Sequence, residues 1–322
     1  MLKPGLLTTL QDRGRFGHAA LGVGSAGAMD EVALRLAHAL VGNDDSSAAL
    51  EISVLGPRLR FDSDTIIALT GAEFPARLDG QPIAMWQPLE VRAGSELDLG
   101  AARRGARGYL AVAGGFAVDS VLDSQSTDVN ARLGPFGGRP LRAGDVLDLD
   151  EVHDGPGADT RTNGRHPPWS LDPRPWFDAD PARPIRLIRG AHFDALDTTS
   201  RKALFDAEFR IDTDSNRVGF RLDGPRLALA STLELVSEPT AFGTMQLPPS
   251  GQPIVLMAEH PPTGGYPRIA QVAVIDLPRL AQRRPGDHVR FRTIGLDESQ
   301  TRYLARERAL ARLIDTIAAR LA

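Results

Sequence analysis

Short runs of alternating apolar and polar residues, broken repeatedly by glycine and proline, constrain this chain most. Leu59-Arg60-Phe61-Asp62, Leu97-Asp98-Leu99, Phe209-Arg210-Ile211-Asp212 and Val289-Arg290-Phe291-Arg292 carry apolar side chains at every second position. A period of two puts those side chains on one face of an extended segment, so each run predicts a half-buried strand. Ile66-Ile67-Ala68-Leu69 and Ile254-Val255-Leu256-Met257 are apolar throughout and read as central strands. The 32 glycines and 24 prolines supply turns, and Asp79-Gly80 reads as a hairpin tip. Many short strands with frequent turns point to closed or nearly closed barrels.

Helical periodicity is clear in two places. Asp30 is positioned to cap a helix whose apolar stripe is Val32, Ala33, Leu36, Ala39 and Leu40, with Gly42 as the stop. From about Thr301 to Ala322, one face carries Tyr303, Leu310, Ile314, Ile317 and Leu321. Such a helix either docks on its own domain or is offered to a partner.

The stretch 153–184 differs from its flanks. It holds Gly155-Pro156-Gly157, His166-Pro167-Pro168 and Asp172-Pro173-Arg174-Pro175, and proline at this density blocks regular ladders. The expected organisation is therefore an N-terminal β-barrel domain over 1–152, a Pro/Gly-rich linker over 153–184, a second β-barrel domain over 185–296 and a C-terminal helix over 297–322. The halves echo each other. Gly56-Pro57-Arg58-Leu59 returns as Gly224-Pro225-Arg226-Leu227, and Arg142-Ala143-Gly144-Asp145 as Arg284-Pro285-Gly286-Asp287. Chance turns or two related barrels both account for this.

Composition removes several function classes. The formal net charge is -4, which gives no electrostatic reason to bind nucleic acid or an acidic membrane. No apolar run approaches the ~18 residues that span a bilayer, and the first residues do not resemble a signal peptide, so a cytoplasmic protein is expected. There is no cysteine, hence no disulfide or thiolate chemistry. The only lysines are Lys3 and Lys202, neither in a glycine-rich context, which argues against a Walker loop or a Schiff base. The 7 histidines are scattered without ligand spacing, so no metal site is expected.

Four polar and glycine clusters remain. Thr8-Thr9-Leu10-Gln11-Asp12-Arg13-Gly14-Arg15 offers acceptors at Gln11 and Asp12 and forked donors at Arg13 and Arg15; it is either an anion-reading site or a surface turn. Gly22-Val23-Gly24-Ser25-Ala26-Gly27-Ala28-Met29-Asp30 runs into the first helix as a weak anion cradle or a tight turn. Ser237-Glu238-Pro239-Thr240, Gly243-Thr244-Met245-Gln246 and Gly251-Gln252-Pro253 read as a polar pocket wall or as satisfied turns. Thr263-Gly264-Gly265-Tyr266-Pro267-Arg268 combines two hydroxyls, a cation and glycines that let a ligand approach closely; a glycine bulge is the alternative.

In this order the clusters resemble the family of the 5-oxoprolinase C subunit, also described as PxpC, KipA, allophanate hydrolase subunit 2 and the biotin-dependent carboxyltransferase family. The resemblance runs from about Gly5 to Thr293. It rests on Gly5-Leu6-Leu7-Thr8-Thr9-Leu10-Gln11-Asp12, Gly27-Ala28-Met29-Asp30, Leu40-Val41-Gly42-Asn43, Tyr109-Leu110-Ala111-Val112-Ala113-Gly114-Gly115, Asn216-Arg217-Val218-Gly219-Phe220 and Thr263-Gly264-Gly265-Tyr266-Pro267. It implies a mainly β chain with a few helices and two cyclophilin-like β-barrel domains. It further implies a role in a complex with a KipI-like protein and a LamB/YcsF-like protein, cleaving 5-oxoproline to glutamate with ATP, and inactivity of the chain alone. Alternatives are a carboxyltransferase component of a urea amidolyase or allophanate hydrolase system, with biotin on another chain, and a non-enzymatic antagonist of a KipI-like kinase inhibitor. The substrate class is a small amide. Candidate substrate-binding residues are Gln11, Asp12, Arg15, Gln246, Gln252, Thr263, Gly264, Gly265 and Tyr266; no catalytic residue is assigned.

Overall fold

The computed structural model describes residues 1–150 and 169–321. The part of the expected linker at 153–168, with Gly155-Pro156-Gly157 and His166-Pro167-Pro168, lies outside the described residues. The chain forms two compact units. The first comprises Met1–Arg15, Ala26–Asp178 and Ala309–Ala322; the second comprises Phe16–Ser25 and Ala179–Arg308.

In the first unit, β1 (Leu7–Gln11), β2 (Ala49–Ser53), β3 (Arg58–Arg60), β4 (Thr65–Glu73), β5 (Arg77–Leu78), β6 (Gln81–Pro82), β7 (Pro88–Val91), β8 (Glu96–Asp98) and β9 (Arg104–Val112) pair into two sheets. Their orders are β1-β2-β9-β4-β7 and β3-β8-β5-β6. The pleat sorts the side chains. Leu50, Ile52, Leu110 and Val112 join Leu59, Leu78 and Leu97 in one core, while Ala49, Tyr109 and Ala111 point the other way, against helix α1 (Glu31–Leu40). Ile66–Leu69 lies in β4, between β9 and β7, as its unbroken apolar run predicts. Asp79 and Gly80, both at positive φ, turn β5 into β6. A single-turn segment, α2 (Pro135–Gly138), follows.

Asp30 caps α1 as expected, its Oδ1 accepting from Ala33 N at 3.0 Å. The helix is buried on nearly every side, Leu34, Ala37 and His38 included, so the sequence stripe understates its burial.

In the second unit, β10 (Ile185–Arg189), β11 (Glu208–Ile211), β12 (Gly219–Asp223), β13 (Glu238–Pro239), β14 (Thr244–Gln246), β15 (Ile254–Leu256), β16 (Thr263–Gly264), β17 (Arg268–Val272) and β18 (His288–Thr293) are joined by helices α3 (Thr198–Asp206) and α4 (Leu277–Ala281). Seven strands close a barrel in the order β10-β17-β14-β15-β12-β11-β18, with β18 returning parallel to β10. Phe209, Ile211, Val289 and Phe291 are buried while Arg210, Arg290 and Arg292 stay out, as the alternation predicts. The remaining pair, β13 and β16, forms a separate two-stranded ribbon. The mainly β, barrel-based architecture is thus present. The first unit spreads its ladders over two sheets around one core, and the second closes fully.

The sequence echo is a turn echo. In Arg142–Asp145 the Asp145 carboxylate accepts from Arg142 N at 2.7 Å with Gly144 at φ 89°. In Arg284–Asp287 the Asp287 carboxylate accepts from Arg284 N at 2.8 Å with Gly286 at φ 90°. Only glycine takes that φ without strain. The last helix, α5 (Leu296–Leu321), begins a turn before its periodicity suggests. Of its expected stripe, Leu310 and Ile317 are fully buried, whereas Tyr303 is 36% exposed. Among the described residues no helix is long and apolar enough to cross a membrane.

Candidate functional site

The nine candidate residues fall into three places. In the first unit, Gln11, Asp12 and Arg15 are all buried. Asp12 Oδ1 accepts from Gly14 N at 2.7 Å, from Ser124 Oγ at 2.8 Å and from Ser126 Oγ; its Oδ2 accepts from Gln125 N at 2.6 Å. Arg15 donates to the Ser126 carbonyl, and Gln11 Nε2 donates to the Thr127 carbonyl at 2.8 Å. The Asp12 carboxylate, Arg15 and Gln11 Nε2 fasten the turn after β1 to the loop 124–127, while Gln11 Oε1 is buried without a hydrogen bond. A charge saturated in this way has little capacity left for a substrate.

The glycine-rich approach to α1 is equally committed. Ala28 N donates to the Asp12 carbonyl at 3.0 Å, Met29 N to Glu51 Oε2 at 2.8 Å and Asp30 N to Tyr109 Oη at 2.8 Å. Tyr109 in turn donates to Glu51 at 2.7 Å. Burial, reinforced by Glu51, pushes its phenol well above the ordinary value, so it stays protonated and donating. Gly27 is obligatory: at φ 89°, a Cβ there would stand 2.7 Å from the Arg13 carbonyl oxygen. The amides of Ala28, Met29 and Asp30 are thus used internally.

Gln252 stands apart in the connection between β14 and β15. Its Oε1 accepts from Gly224 N at 3.2 Å and its Nε2 donates to Gly224 O at 3.0 Å. It lines a surface hollow with Asp212, Arg221 and Asp223. A side chain that satisfies both backbone groups of one residue acts as a turn clamp. Gln252→Ala should cost about 1 kcal/mol of stability, the usual net worth of such bonds, read as a lower midpoint in urea with an unchanged slope.

The other five residues gather at the β13–β16 ribbon. Thr263 and Gly264 pair with Pro239 and Glu238. Gln246 lies directly beneath, because a Cβ on Gly264 would stand 2.5 Å from Gln246 Nε2. Gly265 and Tyr266 follow the ribbon outside its strand pairing, with Tyr266 45% exposed. Thr240 Oγ1 donates to the Pro261 carbonyl at 2.5 Å and lies 3.1 Å from His260 Nδ1. Burial lowers the pKa of His260, which favours its neutral form. The approach to the ribbon is supported by a buried ion pair, Arg217 Nε to Glu259 Oε1 at 2.6 Å.

Two supporting groups, His192 and Gln271, and the partners of Arg268 escape a reading of the sequence alone. Arg268 donates to Glu238 and, at 3.3 Å, to the Pro239 carbonyl. Its own amide donates to His192 Nδ1 at 3.0 Å. Gln271 accepts from Thr244 Oγ1 at 2.9 Å and donates to the Phe242 carbonyl at 2.8 Å. Arg268 sits at the end of the Thr263–Arg268 cluster, but its ties arise from pairings that no local motif encodes. Among the described residues no group of three His, Asp or Glu is placed to hold a metal.

A closed seven-stranded barrel with a separate two-stranded ribbon defines a mainly β domain. The chain belongs to the carboxyltransferase domain family, subdomain A and B, which matches residues 21–293. It is 38% identical over 291 residues to the C subunit of 5-oxoprolinase from Haemophilus influenzae, covering 90% of this chain and 89% of that protein. It is 36% identical to the C subunit of 5-oxoprolinase from Escherichia coli, covering 93% and 92%. The crystal structure of the K. lactis urea amidolyase superposes with a TM-score of 0.86 at 29% identity, covering 98% of this chain. This chain spans 20% of that protein. The family resemblance and the expectation of a mainly β chain with a closed barrel are borne out.

Proposed function

We propose that this chain is the C subunit of an ATP-dependent 5-oxoprolinase, opening the lactam of 5-oxoproline to glutamate together with partner subunits. The observation that carries the reading is the match to the C subunit of 5-oxoprolinase across 89% of that relative's length. A relative named as one subunit of an enzyme implies a complex; the partners proposed for this chain are a KipI-like protein and a LamB/YcsF-like protein. The cytoplasm is the expected location.

The ribbon site supplies what lactam cleavage asks of this chain. A lactam is a stable amide, and its carbonyl gathers negative charge as it is attacked. Preorganised donors stabilise that charge, and the hydroxyls of Thr263 and Tyr266 are the donors this reading assigns to it. Because the glycine segment before α1 is committed internally, ATP belongs on a partner in this reading.

The chain co-purified with its partners should hydrolyse ATP faster when 5-oxoproline is added and release glutamate, while the chain alone does neither. Thr263→Ala and Tyr266→Ala should lower turnover by the complex several-fold, the net worth of an ordinary lost hydrogen bond. A folded complex without stimulation by 5-oxoproline removes this reading. The carboxyltransferase alternative keeps one specific support, the superposition on the K. lactis urea amidolyase; a biotinylated partner recovered with the chain would favour it.

A further inference from the structure

We propose that Gln246 and Arg268 form a carboxylate-binding subsite beneath the β13–β16 ribbon, and that Glu238 is the internal carboxylate a ligand displaces. The proposal rests on the reading of this ribbon as the substrate site and names the chemical group it takes.

Gln246 on β14 and Arg268 on β17 are direct register partners, next to an irregularity between Met245 and Gln246. Paired residues project to the same face of a sheet, and bulges of this kind re-aim side chains beside functional sites. Both side chains meet the ribbon: Gln246 beneath Gly264, Arg268 against Glu238 and Pro239. Gln246 is only 5% exposed, yet its Nε2 is buried without an acceptor. Arg268 Nε is buried without an acceptor as well. Buried donors in native proteins are nearly always satisfied, so each exception asks for an explanation.

Two unsatisfied N–H donors on paired residues ask for an oxygen, and the positive guanidinium makes a charged oxygen the better fit. A carboxylate offers that oxygen on a planar group thin enough to slide under a ribbon. Glu238 already supplies one carboxylate to the Arg268 terminal nitrogens. The ribbon itself is lightly held. It has two residue pairs, Glu238 with Gly264 and Pro239 with Thr263, and Val236 beside it is 83% exposed. An incoming carboxylate competes with Glu238 for Arg268, and that exchange loosens the ribbon over Gln246. Gly264 is then a requirement of the subsite, since a side chain there would press on the amide that reads the ligand.

The test is calorimetric titration of the full chain with 5-oxoproline, with 2-pyrrolidinone, which is the same lactam without the carboxylate, and with acetate. 5-Oxoproline should bind more tightly than 2-pyrrolidinone by about ten-fold or more, as the loss of a charged hydrogen-bond partner predicts. Gln246→Glu, which swaps a donor for a like charge, and Arg268→Lys, which removes Nε, should each weaken binding by about ten-fold. Glu238→Gln should tighten it, because the competing carboxylate is gone. A purely structural role for these residues gives no such opposite signs. Equal binding of the two lactams, or a folded Gln246→Glu chain that binds like the parent, overturns the subsite; Gln246→Glu stays decisive even where Arg268→Lys fails to fold. Binding of acetate but not 5-oxoproline, lost in Gln246→Glu, upholds the subsite and removes the lactam reading. A complex stimulated by 5-oxoproline and indifferent to Gln246→Glu removes the subsite and leaves the lactam reading standing.

Discussion

Asp12→Ala should destabilise the first unit by about 4 kcal/mol, roughly 1 kcal/mol for each of the hydrogen-bond donors left without its acceptor. Four donors converge on this carboxylate: Gly14 N, Gln125 N and the hydroxyls of Ser124 and Ser126. The two serines are 1% and 0% exposed, so water does not replace the lost acceptor. Asp12→Asn keeps one oxygen but turns an amide N–H₂ toward a donor, and about half the loss should remain. All three tryptophans, Trp86, Trp169 and Trp176, belong to the first unit, so their fluorescence during urea unfolding reads this effect directly. A second measurement separates structure from substrate binding. If Asp12 is a fastener, the folded fraction of the variant keeps the KM of the parent complex; a stable variant with a raised KM would make it a substrate ligand instead.

Asp12 also marks where sequence reading stops. Its cluster is conspicuous because charged and polar residues crowd a short turn, and that much is local. Whether those groups face a ligand or one another depends on the loop 124–127, more than a hundred residues away. Gln246 and Gln252 pose the same problem. They are chemically alike and close in the chain, yet one lies under a ribbon and the other clamps Gly224. The register of β14 against β17 decides this, and no local motif encodes it. Strands were legible for the opposite reason. Phe209 with Ile211 and Val289 with Phe291 bury one face of a strand, so the period of two appears in the sequence itself. The cap and stop of α1 were legible too, because Asp30 and Gly42 act on their own backbone. The α5 stripe was less informative: the helix changes unit after Arg308, and one periodic face does not serve one core.

Mild acid should weaken the first unit through His38. The imidazole is fully buried in α1, and burial lowers its pKa from 6.5 to about 4, against smaller opposing pulls from Asp45, a backbone hydrogen bond at Ser47 and Asp12. In the unfolded chain the same group titrates near 6.5. Between pH 6.5 and 4 the unfolded state therefore holds a proton that the folded state refuses. Stability rises with pH across that window and falls as pH drops through it. The full loss, reached below the folded value, is about 3 kcal/mol. The physical consequence is local. His38 Nδ1 lies 3.4 Å from Asn43 Nδ2, and Asn43 joins the end of α1 to β9 by donating to the Val112 carbonyl at 2.7 Å and accepting from Gly114 N at 2.9 Å. A protonated imidazole turns an acceptor of that amide into a second donor, so the tie should fail first. Carboxylates titrate in part of the same range, and a variant separates them. His38→Gln should be less stable than the parent at pH 7.5, and the gap should close by about 3 kcal/mol as pH falls to 4. Urea unfolding followed by tryptophan fluorescence at four or five pH values measures it. A gap that stays constant across the window would mean that His38 binds its proton equally in both states, and that its burial in α1 does not govern its charge.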